Sequence, residues 1–114
     1  MPTVLLVDDD RDLARVTARR LAARGWEVRV EHDGLRALQQ LEEERVDVVI
    51  ADERMPGPGG ALLLETVHRA WPGVRLVMLS GAPSPSGRER VAALGGVTLD
   101  KAATLGELLE ALGG

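Results

Sequence analysis

Two kinds of segment alternate along the chain. The first is a short apolar run: Val4 to Val7, Val46 to Ala51 and Val74 to Leu79. Each is rich in Val, Leu or Ile and is bounded by charged residues, Gly or Pro. Runs of this kind suit strands buried on both faces, as in a parallel sheet. Trp26 to Val30 alternates apolar and charged residues instead, which suits an edge strand with one wet face. Val97-Thr98-Leu99 is a fifth, short strand and is expected at the opposite edge.

The second kind repeats its apolar residues at helical spacing. Leu13, Val16, Thr17 and Leu21 fall on one face, and Gly25 follows as a stop. Asp33 is placed to cap a helix carrying Leu35, Leu38 and Leu41. Leu63, Val67, Ala70 and Trp71 form the next stripe, ended by Pro72-Gly73. Val91 and Leu94 mark a short helix before Gly95-Gly96. Leu105, Leu108, Leu109 and Leu112 mark the last, with Thr104 as its cap.

The resulting order, βαβαβαβαβα, predicts a parallel sheet with helices on both faces and right-handed crossovers. Ligands of such sheets sit outside the carboxyl ends of the strands. Those ends carry Asp8-Asp9-Asp10, Asp52-Glu53-Arg54, Ser80-Gly81-Ala82 and Asp100-Lys101. If the first and third strands are neighbours, Asp8, Asp9, Asp10 and Asp52 converge. Carboxylates packed together repel one another unless they are protonated or share a hard divalent cation. The simpler use of Asp9 or Asp10 is to cap the first helix. A hydroxyl at Ser80 and an ammonium at Lys101 complete what the oxygens of a transferred phosphoryl group require.

Composition removes other classes. The 114 residues suffice for one domain, and there is no cysteine for a disulfide, a thiolate metal site or a thiol nucleophile. His32 and His68 are too few and too far apart for a His-based metal cluster. The net charge is −4, which gives no general attraction to nucleic acid or to anionic lipid. Trp26 and Trp71 are the only aromatic residues, so a base-stacking platform is absent. No apolar run approaches the ~18–20 residues of a membrane helix. Met1-Pro2-Thr3 does not start a signal peptide, so a cytoplasmic location is expected.

Four fragments, in order and each at the end of a predicted strand, resemble the receiver domain of bacterial two-component response regulators. They are Val4-Leu5-Leu6-Val7-Asp8-Asp9-Asp10, Val48-Val49-Ile50-Ala51-Asp52-Glu53-Arg54-Met55-Pro56-Gly57, Val77-Met78-Leu79-Ser80-Gly81-Ala82 and Leu99-Asp100-Lys101. The resemblance implies a flavodoxin-like, doubly wound α/β fold. Its five-stranded parallel sheet would have the order 2-1-3-4-5, within a single receiver domain over residues 1–114.

The resemblance also implies a function. Asp52 would accept a phosphoryl group from a phosphohistidine on a sensor histidine kinase or a histidine phosphotransfer protein. Mg2+, or Mn2+ in its place, would be held by Asp8, Asp9, Asp52 and the backbone carbonyl of Arg54, with Asp8 acting mainly through water. Lys101 would pair with the phosphoryl oxygens, Ser80 would hydrogen-bond one of them, and Ala82 would leave room for the group. The unit would act as a signalling switch, alone, as a homodimer or attached to an output domain, with no direct role in nucleic-acid or membrane binding. Gly113-Gly114 follow the last helix directly, which fits a stand-alone receiver and equally an N-terminal domain of a longer regulator.

Four positions depart from the family. Lys101 is followed by Ala102 instead of Pro, so the expected cis peptide is costly and the loop should be strained or rearranged. Thr98 stands where the family usually has Tyr or Phe. Gly59 replaces an acid that often caps the third helix. Arg54 is either a solvated loop cation or a partner of the phosphoryl group or an acid. Residues Gly81 to Gly87 read as a mobile loop, and Arg11, Arg15 and Arg19 as a basic stripe flanking the acidic pocket, either wet or a docking face. Thr98 and Ala102 motivate one alternative, a pseudo-receiver that binds proteins without phosphoryl control. A phosphohydrolase with its nucleophile on strand one lacks the second acidic pair it needs. A flavin carrier is excluded by the acids, which would repel its phosphate.

Overall fold

The computed structural model describes residues 1–113, so Gly114, the last residue of the expected unit, lies outside the described residues. Its elements are β1 (Thr3–Val7), α1 (Arg11–Ala22), β2 (Glu27–Glu31), α2 (Gly34–Glu43), β3 (Val48–Asp52), α3 (Gly59–Ala70), β4 (Arg75–Ser80), α4 (Pro85–Ala93), β5 (Val97–Asp100) and α5 (Leu105–Ala111). All strand pairs are parallel, in the order β2-β1-β3-β4-β5, as expected.

Alternation along the strands divides the core in two. Val4, Leu6, Val48, Ile50, Val77 and Leu79 face one side and pack with Ala14 and Leu21 of α1 and Leu108 and Ala111 of α5. Leu5, Val7, Val49, Ala51, Leu76 and Met78 face the other and pack with residues of α2, α3 and α4. β1 and β3 are buried at every residue because they are central and covered on both sides.

Some boundaries differ from the sequence reading. β3 begins at Val48 and β4 at Arg75, so Val46 and Val74 precede the strands. Asp47, inside the expected run, turns its carboxylate to the backbone N–H of Thr3 at 2.7 Å. Three residues of the expected helical stripes are outside: Val16 is 48% exposed, Leu35 is 69% exposed, and Ala70 is exposed as well. The contacts centre on Ala14 and Ala37, which are buried. An alanine at the contact lets the helix lie close to the sheet and leaves the larger side chain to one side.

α4 starts earlier than the apolar pattern indicates. Ser84 caps it, accepting from the backbone N–H of Gly87 at 3.0 Å, and Pro85 occupies the first turn. The loop between β4 and α4 is therefore shorter than expected. α3, as Gly59 implied, has no side-chain cap. The Lys101–Ala102 bond is trans. Asp100 shapes that turn, accepting from the N–H of Ala102 on its side chain at 2.7 Å and from the N–H of Ala103 on its carbonyl at 2.9 Å. The loop is thus rearranged rather than cis.

Candidate functional site

Strand register places the acids. Val7 lies opposite Ala51 on the neighbouring strand, so Asp8 and Asp52 leave β1 and β3 side by side. One carboxylate oxygen from each of Asp8, Asp9 and Asp52 falls within 4.8 Å of the others. Asp8 and Asp52 are buried and Asp9 is exposed. Asp10 does not join them, a correction to the four-acid convergence expected above. Its carboxylate caps α1, accepting from the N–H of Leu13 at 3.0 Å.

Burial pushes the Asp8 carboxyl above its ordinary pKa. A hydrogen bond from the Asp10 N–H, 2.9 Å from Oδ1, opposes that rise, and the charge of Asp52 adds to it. A divalent cation would reverse this balance. Three converging oxygen donors, one of them open to water, fit the small hard cation Mg2+, which keeps several of its own waters.

β4 and β5 supply the other groups. Asp52 pairs with Leu79, and Ser80 pairs with Asp100, so Ser80, the last residue of β4, and Lys101, the first residue after β5, come beside Asp52. Lys101 Nζ lies 3.1 Å from Asp52 Oδ2. Partial burial alone would lower the lysine's pKa, but hydrogen bonding to Asp52 and the charges of Asp8, Asp52 and Asp10 raise it. Ser80 is buried, and its Oγ accepts from the N–H of Ala82 at 3.2 Å. Ala82 itself is exposed at the rim. The helix opposite presses close: a Cβ on Gly60 would lie 2.3 Å from the Asp52 carbonyl oxygen, so only glycine fits there.

The backbone N–H of Arg54 donates to Asp52 Oδ1 at 3.4 Å. Its exposed guanidinium makes no ion pair among the described residues, which favours the loop-cation reading. Arg11, Arg15 and Arg19 line a groove with Val28, Val30 and His32, along the β2 edge of the sheet. His32 Nδ1 lies 2.9 Å from the carbonyl oxygen of Asp8. Thr98 is half-buried, and its Oγ1 is enclosed without a hydrogen-bond partner among the described residues.

One residue beside the acids escaped sequence reasoning. Glu53 accepts from Ser84 twice, from Oγ at 2.6 Å and from the backbone N–H at 3.3 Å. Burial would raise the pKa of its carboxyl, but the hydrogen bonds from Ser84, with a contribution from the Ser80 hydroxyl, bring it below the ordinary value. The available signal was the pairing of a carboxylate next to Asp52 with Ser84-Pro85, a capping residue followed by a first-turn proline.

Residues 4–113 match the response regulator receiver domain family. The chain is 35% identical over 77 residues to the transcriptional regulatory protein GlrR of Escherichia coli (strain K12), covering 68% of this chain and 17% of that one. It superposes on the CheY-like receiver domain protein of Methanospirillum hungatei JF-1 with a TM-score of 0.91 and 27% identity, over 96% of this chain and 89% of the other. A response regulator of Burkholderia pseudomallei, crystallised with a phosphorylated aspartic acid, a calcium ion and citrate, superposes with a TM-score of 0.90. Identity is 26%, over 98% of this chain and 66% of that one. The chain spans well under half the length of the curated relatives it matches. Because the family match runs unbroken from β1 through α5, this chain belongs to the response regulator receiver domains of two-component systems.

Proposed function

We propose that the chain is one phosphorylatable receiver unit in which Asp52 accepts a phosphoryl group from a phosphohistidine on a sensor kinase or phosphotransfer protein. The observation that carries this reading is the convergence of Asp8, Asp9 and Asp52 with Lys101 set on Asp52 Oδ2. An Asp52 carboxylate oxygen attacks phosphorus as the P–N bond breaks, and the electron pair returns to the imidazole nitrogen, giving an acyl phosphate. Lys101 holds its charge where the phosphoryl oxygens arrive, and the Ser80 hydroxyl has a proton to donate to one of them. Asp8, Asp9 and Asp52, with the carbonyl of Arg54, are the groups that would hold Mg2+ or Mn2+. The cation supplies charge neutralisation for the phosphoryl oxygens. Attack of water on phosphorus later frees Asp52 and releases inorganic phosphate.

The Burkholderia relative, with its phosphorylated aspartic acid and calcium ion, supports this chemistry by likeness. No helix among the described residues is long and apolar enough to cross a membrane. We place the unit in the cytoplasm beside its kinase, acting through an output domain or a second copy.

Acetyl phosphate with Mg2+ should add one phosphoryl group to the wild type and none to Asp52→Asn, read by intact mass. A modified residue mapped elsewhere, or modification persisting in the variant, overturns the assignment. A wild type that stays unmodified favours the pseudo-receiver reading, which Thr98 and Ala102 motivate by standing where the family usually has a ring and a proline.

A further inference from the structure

Glu53 stands next to Asp52, yet its carboxylate serves the start of α4. Ser84 gives it two hydrogen bonds, at 2.6 and 3.3 Å, and Ser84 Oγ in turn accepts from the N–H of Gly87. A Cβ on Gly87 would lie 2.2 Å from Glu53 Oε2 and 2.8 Å from Ser84 Oγ. The missing side chain is what admits the carboxylate. Residues from two distant stretches are therefore fitted to one another: Glu53 on one side, Ser84 and Gly87 on the other. α4 buries only Gly87 and Val91, and its other side-chain tie is the exposed ion pair of Arg90 with Glu65 on α3, so the contacts of Ser84 and Gly87 with Glu53 are what fix its first turn.

The same segment leads back to the phosphoryl pocket. Ser80 Oγ accepts from Ala82 N–H, and Ala82 lies two residues before Ser84. A hydroxyl oxygen accepts while its proton is given elsewhere, so the bond from Ala82 N–H survives donation by Ser80. If Ser80 Oγ moves toward a phosphoryl oxygen on Asp52, that bond pulls Ala82 and the following residues with it, and Glu53 tethers their far end.

We propose that Glu53 is a latch: its carboxylate holds Ser84 and the first turn of α4 while Asp52 is free, and phosphorylation draws residues 80–84 inward against that tether. The latch rests on the receiver reading of Asp52. It is a positioning residue and not a catalytic one. It offers a route from the pocket to α4 that needs no large ring at Thr98. Hydrogen bonds to a carboxylate are stronger than neutral ones, so the latch biases the resting state. A ligand that favours the released state works against that bias, and removing the latch tightens its binding.

The test uses the full chain with Mg2+ and beryllofluoride, an anionic phosphoryl mimic, titrated by the amide signals of Ala82 and Gly87. Ser84→Ala and Glu53→Ala should each bind beryllofluoride about tenfold more tightly than wild type. The double variant should gain no more than the better single variant, because both remove one shared contact. Ser84→Ala decides, since it keeps the charge of Glu53 and its gain cannot come from reduced repulsion. Gly87→Ala, which pushes the carboxylate away by contact, should act in the same direction and stands in if Ser84→Ala fails to fold. A merely structural role would weaken binding. Equal or weaker binding by both Ser84→Ala and Gly87→Ala overturns the latch while the receiver reading stands. A wild type that binds no beryllofluoride overturns the receiver reading and the latch with it.

Discussion

The acidic end of β1 and β3 and the adjoining side formed by α4 and β5 are built in opposite ways. β1 and β3 are buried at all ten positions, five in each, and the acids leave them at positions set by register. β5 has no buried residue, and α4 buries only Gly87 and Val91. The first region pre-organises charge on a rigid support, where small displacements are costly. The second is held by the ladder between β4 and β5, by the hydrogen bonds from Ser84 to Glu53 and by an ion pair of Arg90 with Glu65 on α3, with few buried side chains, and a segment with so little buried apolar surface moves at modest cost. Under the proposed function the difference separates chemistry from response: one side would fix the acceptor and the other would be free to report on it.

The comparison breaks most visibly in the core. Leu64 on α3 is fully buried, and Leu64→Ala should cost about 3–4 kcal/mol of global stability in urea denaturation. Val91→Ala should cost about 1–2 kcal/mol. Its main effect should be faster hydrogen exchange confined to α4. Equal, global losses from both variants would mean that α4 is as firmly built in as α3.

Metal binding sharpens the same contrast on the acidic side. Mg2+ at a hundredfold excess over its Kd should stabilise the wild type by about 2.7 kcal/mol. Asp9→Ala and Asp52→Asn should each lose most of that gain in thermal melts. Undiminished stabilisation in both variants would remove the cation from this site.

A smaller effect with a definite sign comes from Asp8. Its pKa is raised in the folded state, so at neutral pH its ionisation opposes folding, and this penalty disappears as pH falls through the raised value. Without metal, Asp8→Asn should therefore stabilise the protein by about 1 kcal/mol at pH 7, a few degrees in Tm. The advantage should shrink in acid. Asn at this position retains an oxygen for the Asp10 N–H. A destabilised variant at pH 7 would show that the carboxylate is better accommodated than its burial indicates.

The strands and the site acids were legible in the sequence because both follow from short-range pattern. Runs such as Val4 to Val7 record burial on two faces, and acids directly after them record where the chain leaves the sheet. What escaped depended on tertiary contact. Val16 and Leu35 carry the right spacing, but Ala14 and Ala37 make the close approach. Pro85, Ser86 and Gly87 have loop composition, and only their capping geometry makes them helical. The link from Glu53 to Ser84 joins residues 31 positions apart through two side-chain conformations, and no local periodicity records it. The proposed metal-binding and phosphoryl-accepting roles rest on family resemblance joined to residue type, since spacing alone left helix capping open for Asp10, the use it has.

If Asp52 is the acceptor, the response to phosphorylation runs through residues 80–93 and fades across β5. Thr98 is small and β-branched, so a change in its rotamer moves little volume. The direct measurement is a map of backbone amide shifts with Mg2+ alone and with Mg2+ and beryllofluoride. Large changes are expected around Asp52 and from Ser80 through Ala93, with small changes from Val97 to Leu112. Changes across Val97 to Leu112 as large as those around Asp52 would contradict that expectation.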